Sequence, residues 1–226
     1  SASGVSASGV SASGVSASGV SRREFVLRKL NSLAGMVPVT ALFLWQLWTH
    51  SHALDGPDAL ADAAARGFGL GPNGGPTHFA LVALVLAPLA FHALYGLKLT
   101  LSSEYSVGRF PFSRNWMYAL QRITGVLSLL FLAAHAALFW WPLQSGKLAT
   151  AELYTALVET LSATREGIPW TALGYMLGTA ACAFHLAGGL WSFAAGWGVA
   201  QTRTSRAGVA VLSALGLLLL FGVLSV

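Results

Sequence analysis

Three histidines lie where a titratable side chain is costly: His92, His135 and His185 each sit inside a long apolar run. Ionisable groups at such depth usually mark function. One alone is equally well read as a neutral imidazole bonded to a neighbouring helix's carbonyl. Three on consecutive runs, with no acid inside those runs, point to ligation instead. Neutral imidazole is a common metal ligand, and two from facing helices supply the axial pair of a low-spin haem iron. Cysteine chemistry is excluded by count. With Cys182 as the only cysteine, the chain has no internal disulfide, cysteine zinc cluster, iron–sulfur cluster or C-x-x-C-H attachment of c-type haem. Cys182 itself reads as a small buried apolar residue.

The elements that carry these residues follow from composition. Of 226 residues only 9% are charged, and mean hydropathy is +0.64. Soluble domains are about a quarter charged, so this chain cannot cover itself in water. Apolar runs extend from Leu33 to Thr49, Phe79 to Leu101, Met117 to Trp141, Pro169 to Ala200 and Ala207 to Val226. A bilayer core takes about 20 apolar residues per helix, which predicts an all-α membrane bundle of five transmembrane helices. Between the first two runs, Asp55 to Thr77 reads as a polar, Gly/Pro-rich loop. Between the third and fourth, Gln144 to Gly167 contains a short surface helix around Leu153 to Leu161.

Charge sets the expected orientation. Arg22, Arg23, Arg28 and Lys29 precede the first run, Lys98, Arg109, Arg114 and Arg122 lie between the second and third, and Arg203 and Arg206 precede the fifth. The opposite connections carry Asp55, Asp58, Asp62, Glu152, Glu159 and Glu166. The positive-inside rule then places the N-terminus in the cytoplasm and the C-terminus outside. The pI near 9.8 is thus a topology signal, and no basic patch with interleaved aromatics suggests nucleic acid. Residues 1–20 are four copies of Ser-Ala-Ser-Gly-Val and are expected to be disordered, apart from a transmembrane domain over 21–226. They lack the basic start and apolar stretch of a signal peptide. Their perfect repetition suits an artificial origin as well as a natural one.

Depth sorts the histidines. His92 lies about 9 Å before Lys98, and His185 about 18 Å before Trp197, at 1.5 Å per residue on inward-running helices. His135 lies about 20 Å beyond Arg122 on an outward-running helix. His92 and His185 can therefore share an inner tier, while His135 needs a partner on an outer one. Gly96 follows His92 by one turn, and Gly188 and Gly189 stand likewise to His185; they either admit a flat ring or serve helix packing. Arg114 and Arg122 at the inner rim either pair with haem propionates or act as topology signals at the lipid headgroups.

The stretches Arg28-Lys-Leu-Asn-Ser-Leu-Ala-Gly-Met-Val-Pro38, Phe91-His-Ala-Leu-Tyr-Gly96, Asn115-Trp-Met-Tyr-Ala-Leu-Gln-Arg-Ile-Thr-Gly125 and Phe184-His-Leu-Ala-Gly-Gly-Leu-Trp-Ser-Phe193 resemble a known family. It is the cytochrome b558 membrane anchor of succinate dehydrogenase and fumarate reductase, of the single-subunit five-helix type. The resemblance implies two haems b stacked across a bacterial cytoplasmic membrane, and flavoprotein and iron–sulfur subunits as partners. It implies electron transfer to a quinone, menaquinone by family analogy, with the dicarboxylate bound elsewhere in the complex. By position, His92 and His185 match the inner ligands, and His135 matches one outer ligand. The family's fourth ligand falls on Gln46, whose amide is a weak haem ligand. His50, one turn further on the same face, is the expected replacement, with His52 more remote; a five-coordinate or absent outer haem is the alternative. His78 reads as an interface or loop residue, with a quinone-site role as the other choice. Where some related fumarate reductases carry a glutamate linked to proton movement, this chain has Ala183. Two competing readings are a cytochrome b anchor of a hydrogenase or formate dehydrogenase, and a haem-free anchor or transporter.

Overall fold

A computed structural model describes residues 21–66, 76–103, 108 and 112–224. The repeat at 1–20, Arg109, and the side chains of Arg114 and His78 lie outside the described residues. Among the described residues the fold is all-α, and pairing outside helices is limited to one isolated bridge, Arg165 with Ile168. Among the described residues four helices are long and apolar enough to cross a membrane: Arg22–Asp55, Ala83–Leu101, Asn115–Gln144 and Trp170–Gly196.

The first helix, α1, runs Arg22–Asp55 and is capped by Ser21, whose hydroxyl accepts from the Glu24 N–H at 3.2 Å. Pro38 lacks an N–H and crowds the preceding turn, and the helix answers with a π-turn at Gly35–Val39. The Thr40 hydroxyl donates to the Gly35 carbonyl at 2.9 Å inside this irregular stretch. The same device recurs in α4, Ser113–His135, which continues through a π-turn at Ala136–Trp140 into Trp141–Gln144. Pro142 lies just beyond, and its ring falls on the Leu138 carbonyl within that π-turn. Helix α3, Pro76–Leu101, carries Pro88, while α6 is Trp170–Gly196 and α7 is Arg203–Leu224.

Small residues let α4 and α6 approach closely. Gly178 faces the Phe131 ring, and Gly188 faces the Gln121 side chain. Lys29 of α1 donates to the Gly196 carbonyl at the end of α6, with its ammonium 4.9 Å from the Trp197 ring centroid. The α6 helix stops at Gly196, short of the apolar run's end at Ala200, because Gly198 turns the chain at φ 79.

The first connecting segment departs from the sequence expectation. Asp55 to Thr77 read as a loop, yet Pro57–Arg66 forms a helix, α2. Its apolar stripe is one leucine and several alanines, amphipathic at helical spacing and made of the best helix former, but the segment's polar share made it read as a loop. Pro57 suits the first position and Asp58 the positive end of the dipole. The second segment holds helix α5, Leu153–Ser162, close to its predicted place. Both short helices pack over one end of the bundle. Leu60, Phe139 and Leu153 form a buried cluster there, with Tyr175, Leu157 and Ala53 against it. Leu60 is fully buried, so Leu60→Ala is expected to loosen this cap by about 2–5 kcal/mol. Faster proteolysis between α1 and α3, with the long helices intact, is the measurement.

Candidate functional site

One continuous cavity of about 2200 Å³ runs through the bundle. It exceeds the roughly 300–1,000 Å³ of a single small-molecule pocket and so has room for more than one large group. At one end its rim carries Arg28, Lys29 and Arg122; the other end lies beneath α2 and α5. His50, His92, His135 and His185 all line it.

The histidines stand in two pairs. Near the basic end, His92 of α3 and His185 of α6 have ring centroids 6.1 Å apart, crossing at 65°. Beneath the cap, His50 of α1 and His135 of α4 have centroids 5.1 Å apart, at 81°. A metal–imidazole bond of about 2 Å sets two trans imidazole centroids about 6 Å apart, close to the first pair and slightly wider than the second.

Hydrogen bonds decide which nitrogen each ring offers. His92 Nδ1 donates to the Asn31 carbonyl of α1 at 3.0 Å. His185 Nδ1 donates to the Gln121 carbonyl of α4, also at 3.0 Å. The Gln121 amide nitrogen also lies 3.3 Å from His185 Nδ1, farther than from the His185 carbonyl. A carbonyl can only accept, so each Nδ1 carries a proton and a neutral ring then leaves Nε2 bare. This is the arrangement of metal-binding histidines, whose second nitrogen is tied to a carbonyl or carboxylate. The Gln121 amide nitrogen donates in turn to the His185 carbonyl at 2.9 Å, bracing α4 against α6. His135 Nδ1 lies 3.2 Å from the Tyr175 hydroxyl.

Space for the rings comes from opposing helices. A Cβ at Gly35 would lie 2.6 Å from His92 Nδ1, and one at Gly125 would lie 2.8 Å from His185 Cε1. The glycines singled out from sequence behave differently: Gly96 faces open space, while Gly188 and Gly189 meet Gln121. Sequence reasoning missed Gly35, Gly125, Gln121, Asn31 and Tyr175. Gly35 and Gly125 were within reach, since each falls inside one of the family-like stretches; the carbonyl of Asn31 left no side-chain signal.

The other expected residues divide. Arg122 is buried on the cavity wall, its guanidinium 3.9 Å over the Tyr118 ring and hydrogen-bonded to that hydroxyl. Gln46 also lines the cavity. His52 is turned to Asp55, with Nδ1 3.2 Å from its carboxylate, and takes no part in the lining described for the cavity. Arg28 and Lys29, read from sequence only as topology signals, stand at the same rim as Arg122.

Four imidazoles in two facing pairs along one cavity, with glycine hollows beside two of the rings, are a donor set that could hold haem. The chain's one thiol, Cys182, is buried on the wall of the same cavity.

Comparison with known proteins agrees. Residues 100–224 match the model of the succinate dehydrogenase/fumarate reductase transmembrane subunit. The succinate dehydrogenase cytochrome b558 subunit of Bacillus subtilis (strain 168) is 30% identical over 185 residues, covering 81% of this chain and 85% of that protein. No solved structure gives a significant match. The chain therefore belongs to the family of succinate dehydrogenase/fumarate reductase transmembrane subunits.

Proposed function

We propose that this chain is the haem b-bearing, quinone-reactive anchor of a succinate:quinone oxidoreductase in a bacterial cytoplasmic membrane. The observation that supports it most is the pair of imidazole tiers in one cavity, with Nδ1 of His92, His185 and His135 each beside a hydrogen-bond partner. In this reading α7 is the fifth span, the N-terminus and the basic rim face the cytoplasm, and the capped end faces outward. The inner tier is His92 with His185; the outer is His135 with His50 in place of Gln46. Arg122 and Lys29 at the inner rim, with Arg28, which is paired with Glu24, and Arg114, eight residues before Arg122 in sequence, would hold propionate carboxylates by charge-assisted hydrogen bonds.

Bound haem b supplies reversible one-electron chemistry at each tier. The protein's own part is positional and electrostatic. Asn31 and Gln121 carbonyls keep His92 and His185 in the ligating tautomer. The cationic rim neutralises propionates and faces the docking side for an iron–sulfur subunit, which a flavoprotein subunit would in turn supply with electrons from the dicarboxylate. Apolar walls exclude water between the tiers. Beneath α2 and α5, where Trp140, Gln144 and Tyr154 line the cavity, a quinone, menaquinone by family analogy, would react. Among the described residues no acid lines the cavity, so no carboxylate relay accompanies the electron along them.

The test is the haem content of the purified complex by pyridine haemochrome. Two haems b per chain are expected, with flavin and iron–sulfur subunits co-purifying. Well-folded protein without a Soret band would leave only a haem-free anchor. A nickel or molybdenum partner would point to a hydrogenase- or formate dehydrogenase-type complex.

A further inference from the structure

We infer that Tyr175 is the positioning residue of the outer tier: its hydroxyl takes the Nδ1 proton of His135 in a hydrogen bond and thereby turns Nε2 to the cavity. This rests on the proposed reading in which His50 and His135 hold a haem.

The inference starts from a difference among the rings. His92 and His185 each give an N–H to a main-chain carbonyl, of Asn31 and Gln121 respectively. Those acceptors are fixed by the backbone and cannot donate, so they dictate the tautomer. His135 instead meets a side chain, the Tyr175 phenol at 3.2 Å. A hydroxyl both donates and accepts. If it donates to Nδ1, the ring proton moves to Nε2 and the face toward the cavity cannot ligate. If it accepts, Nε2 is bare. Ligation therefore requires Tyr175 to act as acceptor, and at this ring a side chain rather than the backbone settles the tautomer.

The phenol is held firmly enough to do this. Its ring stands edge-on to Phe131 at 5.1 Å and to Phe139 at 6.2 Å. Phe139 is buried with Leu60 and Leu153, and Tyr175 packs on the same cluster. Phe139 also stands 5.7 Å from the His135 ring, so the cap helices reach His135 through Phe139 as well as through Tyr175. An acceptor on the far nitrogen raises imidazole basicity, which favours ferric over ferrous iron; partners of this kind typically change metal affinity 10–100-fold.

The experiment compares the wild-type complex with Tyr175→Phe by optical redox titration and low-temperature electron paramagnetic resonance. Tyr175→Phe is expected to raise the midpoint of the outer haem, shift its low-spin signal and speed its transfer to apomyoglobin about 10–100-fold. The inner haem is expected to be unchanged in all three. Replacement of tyrosine by 3-fluorotyrosine, a weaker acceptor of nearly the same shape, is expected to move the same midpoint the same way. Unchanged midpoints in both would overturn the inference. So would an equal shift in Leu60→Ala, which loosens the cluster but keeps the hydroxyl. A wild type with one haem fails earlier and differently: it removes the outer-tier reading itself, and this inference with it.

Discussion

Gly35→Ala is expected to empty the inner haem site while leaving all four cavity histidines in place. The new methyl carbon would stand 2.6 Å from His92 Nδ1 and 3.0 Å from Nε2, well inside contact. The ring must move, and moving it breaks the bond from Nδ1 to the Asn31 carbonyl that sets its tautomer. Two effects oppose each other. Alanine is favoured over glycine within a helix by about 0.5–1 kcal/mol, whereas loss of a ligand's supporting partner lowers metal affinity about 10–100-fold, or roughly 1.4–2.7 kcal/mol. Haem binding loses, and the helix remains. Gly125→Ala acts alike on His185 but less, since its Cβ would lie 2.8 Å from Cε1 and 3.1 Å from Nδ1. Haem per chain by pyridine haemochrome decides the matter: one haem supports the argument, and two haems with an unaltered inner signal contradict it.

His50→Ala is expected to halve the haem content, from two per chain to one, by removing the outer tier alone. His135 would then face the cavity without a second imidazole, because His52 is engaged with Asp55 at 3.2 Å. The decisive companion is Gln46→Ala. The Gln46 amide lines the cavity but is a weak haem ligand, so this variant is expected to keep both haems. The reverse outcome, two haems in His50→Ala and one in Gln46→Ala, would mean that the amide is the ligand. Reduced-minus-oxidised spectra separate the two results in one preparation of each.

Much of the fold was legible from residue types. The runs holding His92, His135 and His185 are long because a helix in lipid needs an apolar surface over its whole length, so composition alone announces four of the long helices. The helix at Leu153–Ser162 was legible too, since its leucines recur at helical spacing. The helix at Pro57–Arg66 was not: alanines carry its buried face, and only tertiary contact with Phe139 and Leu153 shows that Leu60 has a core to enter.

The site divides along the same line. That imidazoles would occupy the interior, and that thiolate clusters would not, is determined by the sequence, because burying an ionisable ring is costly and one cysteine cannot build a cluster. Which glycine relieves which ring was decided only in three dimensions. Spacing along one helix pointed to Gly96, Gly188 and Gly189, whereas Gly35 and Gly125 reach the imidazoles from neighbouring helices. His50 was legible from the sequence as the partner of His135, and only the distance of 5.1 Å between the rings is a tertiary outcome. The π-turns at Gly35–Val39 and Ala136–Trp140 interrupt α1 and α4, and each changes the residues per turn and rotates the helix beyond it. Arithmetic at 3.6 residues per turn places a residue on its own helix; the facing of two helices depends on those turns and on how closely their small residues let them approach.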